Sequence, residues 1–230
     1  MTPSNTRPDS HPPLRYEQIL EAARTAVEEH GPDALTAQIA ECAKLARPNV
    51  YRHFASKEDL DQALARNVYR ELRREIEARL HLPGTLLDVI RELIEAQVGW
   101  ADRHPNLYRF LVSRGYQRKS QTQTVQRSDF IAEVTAAAAR YFPRLADEPD
   151  AVEGTLVGLI GMFDASVLRW LDRPVGTRDQ LIDRLTAHAW LILDDQLRKF
   201  GIRVDPALSL TLPAGSLENN EAPLTSSESI

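Results

Sequence analysis

The 230-residue sequence has a single cysteine, Cys42, which excludes a disulfide framework or a Cys-rich zinc site within one chain. The expectation for Cys42 is a small buried side chain. An excess of positive charge is also missing. The formal net charge is -5, so any nucleic-acid contact must come from a local basic patch. No apolar run opens the chain, which argues against a secretory signal. No stretch reads as long enough to span a membrane, and a cytoplasmic protein is expected. Strand-like alternation and internal repeats are absent. So are Gly-x-Ser-x-Gly, His-Glu-x-x-His and a phosphate-cradling glycine loop. Asp194 and Asp195 are neighbours in sequence and diverge on a helix. His188 lies on an apolar helix and fits a core or an interface better than a metal site. No enzyme activity, cofactor or metal is expected.

What the sequence does contain is helical periodicity. A hydrophobic fraction of 43% can build a core. Residues 1–13, rich in Pro, Ser, Thr and Asn, read as a disordered arm. From Leu14 onward, Ile19, Ala22, Ala23, Ala26 and Val27 fall on one helical face, and Gly31-Pro32 ends that helix with a left-handed glycine. Thr36 is the expected N-cap of a short helix ending near Ala43. Lys44, Leu45 and Ala46 form a turn, and a second short helix carries Arg47 to His53. Pro48 is tolerated there because it lies in the first turn. Ser56, with Asp59 three positions on, opens a long helix toward Leu80 along Leu60, Leu64, Val68, Leu72 and Ile76. Further helices are predicted from Leu86 to Arg103, around Leu107 to Leu111, from Gln121 to Phe142, from Asp150 to Leu171 and from Arg178 to Phe200. The chain from Ile202 to Ile230 reads as a disordered tail. The expectation is an all-α protein of about nine helices. It divides into an arm (1–13), a three-helix domain with a helix-turn-helix (14–56), a larger helical bundle (57–201) and a tail (202–230).

The segment Thr36–Lys57 carries most of the functional signal. Ile39, Ala40, Ala43, Leu45, Val50 and Phe54 can form a small apolar interior, leaving Arg47, Asn49, Tyr51, Arg52, His53 and Lys57 to point elsewhere. Lys44, Arg47, Arg52 and Lys57 stand against Glu41, a local net charge of +3 in an acidic chain. A helix that buries one thin stripe and shows donors outward is shaped to enter a DNA groove.

The pattern I39-A40-x-x-A43 followed by Y51-x-H53-F54-x-S56-K57-x-x-L60 resembles the TetR family of bacterial transcriptional repressors. The resemblance covers Ile19 to Leu64, and HPNLYRFL at His104–Leu111 resembles a further family element. It implies a phosphate contact near Thr36 through its hydroxyl and helix N-terminus. It implies groove contacts by Arg47 and Asn49, with Pro48 and Arg52 on the same helix. Tyr51, His53 and Lys57 would bind phosphates, and Phe54 would lock the recognition helix to the domain. Three positions depart from the family pattern. Lys44 replaces the turn glycine, at a cost of about 1 kcal/mol for a left-handed backbone. Ala46 replaces a serine cap, which forfeits about 1 kcal/mol. Pro48 replaces a small residue.

The resemblance further implies a ligand cavity in the C-terminal bundle, for which Trp100, Tyr108, Phe110, Phe130, Met162 and Phe163 are candidates beside ordinary core packing. Gly154, Gly158 and Gly161 each cost a helix about 1 kcal/mol, so a close helix contact is expected there. The family pairs its last helices about a two-fold axis, making these glycines and Trp190 candidates for a homodimer interface. The sequence thus reads as a dimeric repressor released from a palindromic, inverted-repeat DNA operator by a small, apolar effector. A helical binder or enzyme with a vestigial helix-turn-helix remains an alternative, as does an activator or a regulator without an effector.

Overall fold

The computed structural model describes residues 12–80, 83–115 and 121–207, with side chains left aside at 12–14, 115 and 121–129. Most of the expected arm and tail therefore lies outside the described residues. Among the described residues there are nine α-helices, one 3-10 turn and no β-strand. The all-α expectation holds. The helices are α1 (Pro12–His30), α2 (Thr36–Cys42), α3 (Arg47–Tyr51), α4 (Lys57–Glu77), α5 (Leu86–Arg103), α6 (Pro105–Gly115), α7 (Gln121–Tyr141), α8 (Pro149–Asp172) and α9 (Arg178–Lys199). The chain forms two compact units. One holds residues up to 75, 97–125 and 167–174; the other holds 76–96, 126–166 and the chain from 175 onward.

The first unit contains the helix-turn-helix. α1 buries Ile19, Ala22, Ala23, Ala26 and Val27. It begins at Pro12, inside the expected arm, because proline is well tolerated in a first helical turn. Gly31 closes it at φ +93°, with its N–H donated to the Val27 carbonyl. α1 packs on α2 and α6, and α2 packs on α3. Ile39, Ala40, Val50 and Phe54 are buried beneath the short helices, and Phe54 stacks on Tyr16 with ring centroids 4.8 Å apart. Leu60, Leu64, Val68 and Leu72 are buried along one stripe of α4.

Trp100, Tyr108 and Phe110 are fully buried in this unit. The Trp100 indole N–H donates to Glu71 Oε1 at 3.0 Å, and Gln97 Nε2 donates to the Tyr108 hydroxyl at 2.8 Å. Glu71 also takes a two-pronged contact from Arg24, at 2.5 and 3.0 Å. Burial pushes the Glu71 carboxyl up, but the bonds from Arg24 and Trp100 outweigh it and hold it below its ordinary range.

In the second unit, Leu145, Val152 and Leu197 form a core with Phe142, Leu156, Phe200, Ile202 and Val204 around them. A 3-10 turn at Pro143–Asp147, unforeseen in the sequence, brings Leu145 into this cluster. Ile202 and Val204 show that the expected tail starts with packed residues, because their apolar side chains find a partner surface. α9 is opened by Thr177, whose Oγ1 accepts the Gln180 N–H while Gln180 Oε1 accepts the Thr177 N–H. One expectation is overturned: α8 is 24 residues long, with a mean hydropathy of 1.5 over its most apolar window, so a helix long and apolar enough to cross a membrane is present. Between Glu153 and Asp172 its only charged residues are Asp164 and Arg169, which leaves such a window.

Candidate nucleic-acid interface

The turn between α2 and α3 is sharp. Lys44 adopts φ +52°, the only non-glycine with positive φ among the described residues. The left-handed turn is therefore kept although glycine is absent. α2 is not capped by Thr36. Leu35 is the extended residue before the helix, and its N–H is satisfied by Gln38 Oε1 at 2.6 Å. Thr36 is the first helical residue instead, and Leu35 offers no side-chain acceptor to the first-turn N–H groups. Ala46 is the N-cap of α3 and offers no side-chain bond, as its methyl requires. Pro48 sits in the first turn, where its missing N–H leaves no intrahelical bond unmade. α3 is regular only to Tyr51, with Arg52 as its C-cap, so His53 lies just past the helix rather than within it.

With Val50 turned inward, a repeat of 3.6 residues sends Pro48 and Arg52 to the opposite side, Arg47 and Tyr51 to one flank, and Asn49 and His53 to the other. Exposure agrees: Arg47, Pro48, Tyr51 and Arg52 are exposed, whereas Asn49 and His53 are half-buried. The Tyr51 hydroxyl lies 3.3 Å from Thr36 Oγ1 and donates to it. Two residues expected to meet phosphates are thus brought together at the N-terminus of α2.

Lys57 opens α4 just after Ser56, whose Oγ accepts the Asp59 N–H at 3.0 Å. Its ammonium pairs with the carboxylate of Asp61, one helical turn on. Asp61 is only 3% exposed and also meets Arg114 Nη2 at 3.1 Å. Burial pushes the Asp61 carboxyl above its ordinary range, against the pull of Lys57 and Arg114. Sequence reasoning missed Asp61 and Arg114. The four-residue step from Lys57 to Asp61 was a usable signal, but Arg114 comes from α6 and has none.

Of the aromatic candidates for a ligand cavity, Trp100, Tyr108 and Phe110 belong to the first unit, and Phe130, Met162 and Phe163 belong to the second. Phe130, Met162 and Phe163 are half-buried. Gly154 and Gly158 are exposed, and a Cβ on either would meet nothing within 4 Å. Close packing inside the chain therefore does not account for these two glycines. Gly161 and Trp190 are half-buried.

Residues 19–64, which span this turn and both short helices, match the profile of the bacterial regulatory proteins of the tetR family. Over these residues the chain is similar to the TetR family. An uncharacterised HTH-type transcriptional regulator of Mycobacterium tuberculosis is 23% identical over 184 residues, covering 80% of this chain and 79% of that one. A tetR-family transcriptional regulator from Streptomyces coelicolor has a similar structure, with a TM-score of 0.61 and 21% identity over 82% of this chain and 85% of the other. A TetR-like regulator from Rhodococcus sp. RHA1 gives a TM-score of 0.58 and 19% identity over 78% and 96%. These relatives are transcriptional regulators, in line with a DNA-binding role for residues 19–64.

Proposed function

We propose that this protein is a homodimeric repressor of the TetR family that leaves an inverted-repeat operator when a small apolar molecule binds its helical bundle. The single observation that carries the DNA side is the exposed crest of α3 beside the joined Thr36 and Tyr51 hydroxyls. Arg47, Asn49 and Arg52 enter the major groove, while Thr36, Tyr51, His53 and Lys57 grip phosphates on either side of it. Pro48 sets the approach of the first turn. Phosphate contacts fix the register, and groove contacts choose the sequence. DNA binding of this kind places the protein's work in the cytoplasm.

The dimer reading rests on α8 and α9. α8 is strongly apolar, yet only 22% of its most apolar window is buried within one chain. Gly154, Val157 and Gly158 are exposed on it, and Leu191 and Ile192 are exposed on α9. A second copy covering these faces, with Gly161 and Trp190 at their margin, removes the apolar surface from water and leaves no membrane role for α8. Residues 14–56 form the reading head, and 57–201 form the effector and dimer portion. Phe130, Met162 and Phe163, half-buried in the second unit, meet the effector, while Trp100, Tyr108 and Phe110 pack the core of the first. The effector acts by its differential affinity for the states of the protein that do and do not fit DNA.

Hydroxyl-radical footprinting on a bound promoter tests this. Two protected half-sites about 34–36 Å apart, lost on effector addition, are expected. A single unpaired footprint contradicts the dimer. Turn geometry retained at Lys44 speaks against a vestigial helix-turn-helix.

A further inference from the structure

Three ligating side chains converge at the corner where α1 and α2 end. Glu29 and His30 are the last two residues of α1, and Cys42 is the last residue of α2. Their ligand atoms all lie within 4.8 Å of one another. His30 Nε2 stands 3.9 Å from Glu29 Oε2. Neighbours on a regular helix diverge by about 100°, and it is the length of the two side chains at the open end of α1 that brings their tips together. Glu29 and His30 are exposed and Cys42 is half-buried, so an ion can reach the group from solvent.

The electrostatics of the corner favour a cation. Two helix C-termini end there, each carrying a partial negative charge. Burial raises the Cys42 thiol above its ordinary range, and the carboxylates of Glu29 and Glu41 raise it further. The carboxylates of Glu29 and Glu41 that face the sulfur also attract a cation to it.

We propose that Glu29, His30 and Cys42 form a binding site for a borderline divalent transition-metal ion of the zinc class. One oxygen, one imidazole nitrogen and one thiolate are the donor set such ions take, with water completing four-coordination. Bond lengths of about 2.0–2.3 Å need the donors closer together than they stand, by about 1 Å. A rotamer change at the exposed Glu29 or His30 supplies that. On binding, the Cys42 S–H bond breaks, a sulfur–metal bond forms and the proton leaves to the buffer. The ion would tie the end of α1 to the end of α2, two residues before the strained Lys44 turn.

Cobalt(II) added to the reduced, metal-stripped full chain tests the site. Cys42 is the chain's one cysteine, so any thiolate-to-cobalt charge-transfer band reports on this position alone. The expected result is a band saturating at one ion per chain, with alkylation of Cys42 slowed in parallel by cobalt or zinc. Cys42→Ser should abolish the band, and His30→Gln and Glu29→Gln should each weaken binding by about tenfold or more. An absent band with an unchanged alkylation rate at saturating cobalt overturns the proposal. So does half stoichiometry, which means two chains sharing an ion through Cys42, or a band indifferent to both His30→Gln and Glu29→Gln. Alkylation protection of the unaltered chain decides the matter even where a variant folds poorly.

Discussion

Lys44→Gly should stabilise the protein. Lys44 is held at φ +52°, where a Cβ crowds the following carbonyl. That crowding costs an L-residue about 1–2 kcal/mol. Glycine removes the cost but adds freedom to the unfolded chain, worth about 0.4–1 kcal/mol in the other direction. The difference leaves a gain of about 0.5–1 kcal/mol. Lys44→Ala separates the backbone effect from loss of the lysine charge, because alanine keeps the Cβ and drops the ammonium. Urea unfolding of the full chain, followed by tryptophan fluorescence, should order the three proteins with Lys44→Gly the most stable. In a chain of this size the gain corresponds to about 1–4 °C in melting temperature. Should Lys44→Gly prove no more stable than Lys44→Ala, the turn does not bear the strain argued for it.

The remaining predictions concern DNA, assembly and acid. Tyr51→Phe and Lys57→Ala should weaken binding across all DNA sequences and flatten its salt dependence, whereas Asn49→Ala should relax specificity; fluorescence anisotropy over a salt series distinguishes them. Gly158→Arg should leave the chain helical, since nothing stands within 4 Å and glycine is a poor helix former, yet shift it to monomer by analytical ultracentrifugation. Glu71 has a carboxyl held below its ordinary range, so its stabilising contribution is present above the unfolded value of about 4.3 and is lost as pH falls through the lower folded one. Glu71→Gln should therefore lose less stability on acidification than the unaltered chain, read as the change in urea midpoint.

The helices were legible because the chain punctuates them locally. Gly31, and Ser56 with Asp59, act within a turn of themselves, and the structure places them as read. Lys44 was legible for the same reason: a motif that needs a left-handed residue there constrains whichever residue occupies it. What escaped was of two kinds. Caps made by a neighbour's side chain, such as Gln38 serving the Leu35 N–H, look like a Thr36 cap in sequence. Partnerships over long separations leave no local trace. Glu71 gathers Arg24 and Trp100, and Asp61 gathers Arg114, through tertiary packing alone. Trp100 shows the limit for ligand cavities: periodicity marked it as inward-facing but could not give its hydrogen bond to Glu71. The apolar content of α8 was visible, yet its exposure depends on what the rest of the chain leaves uncovered.

Selection of bound duplexes from a random DNA pool, at low and at high salt, tests the central claim most directly. The account predicts enrichment of one inverted repeat, bound more weakly as salt rises and lost when Arg47 and Tyr51 are both replaced by alanine. Failure to enrich any sequence at either salt, or enrichment that survives the double replacement, would contradict a sequence-reading dimer that docks through α3.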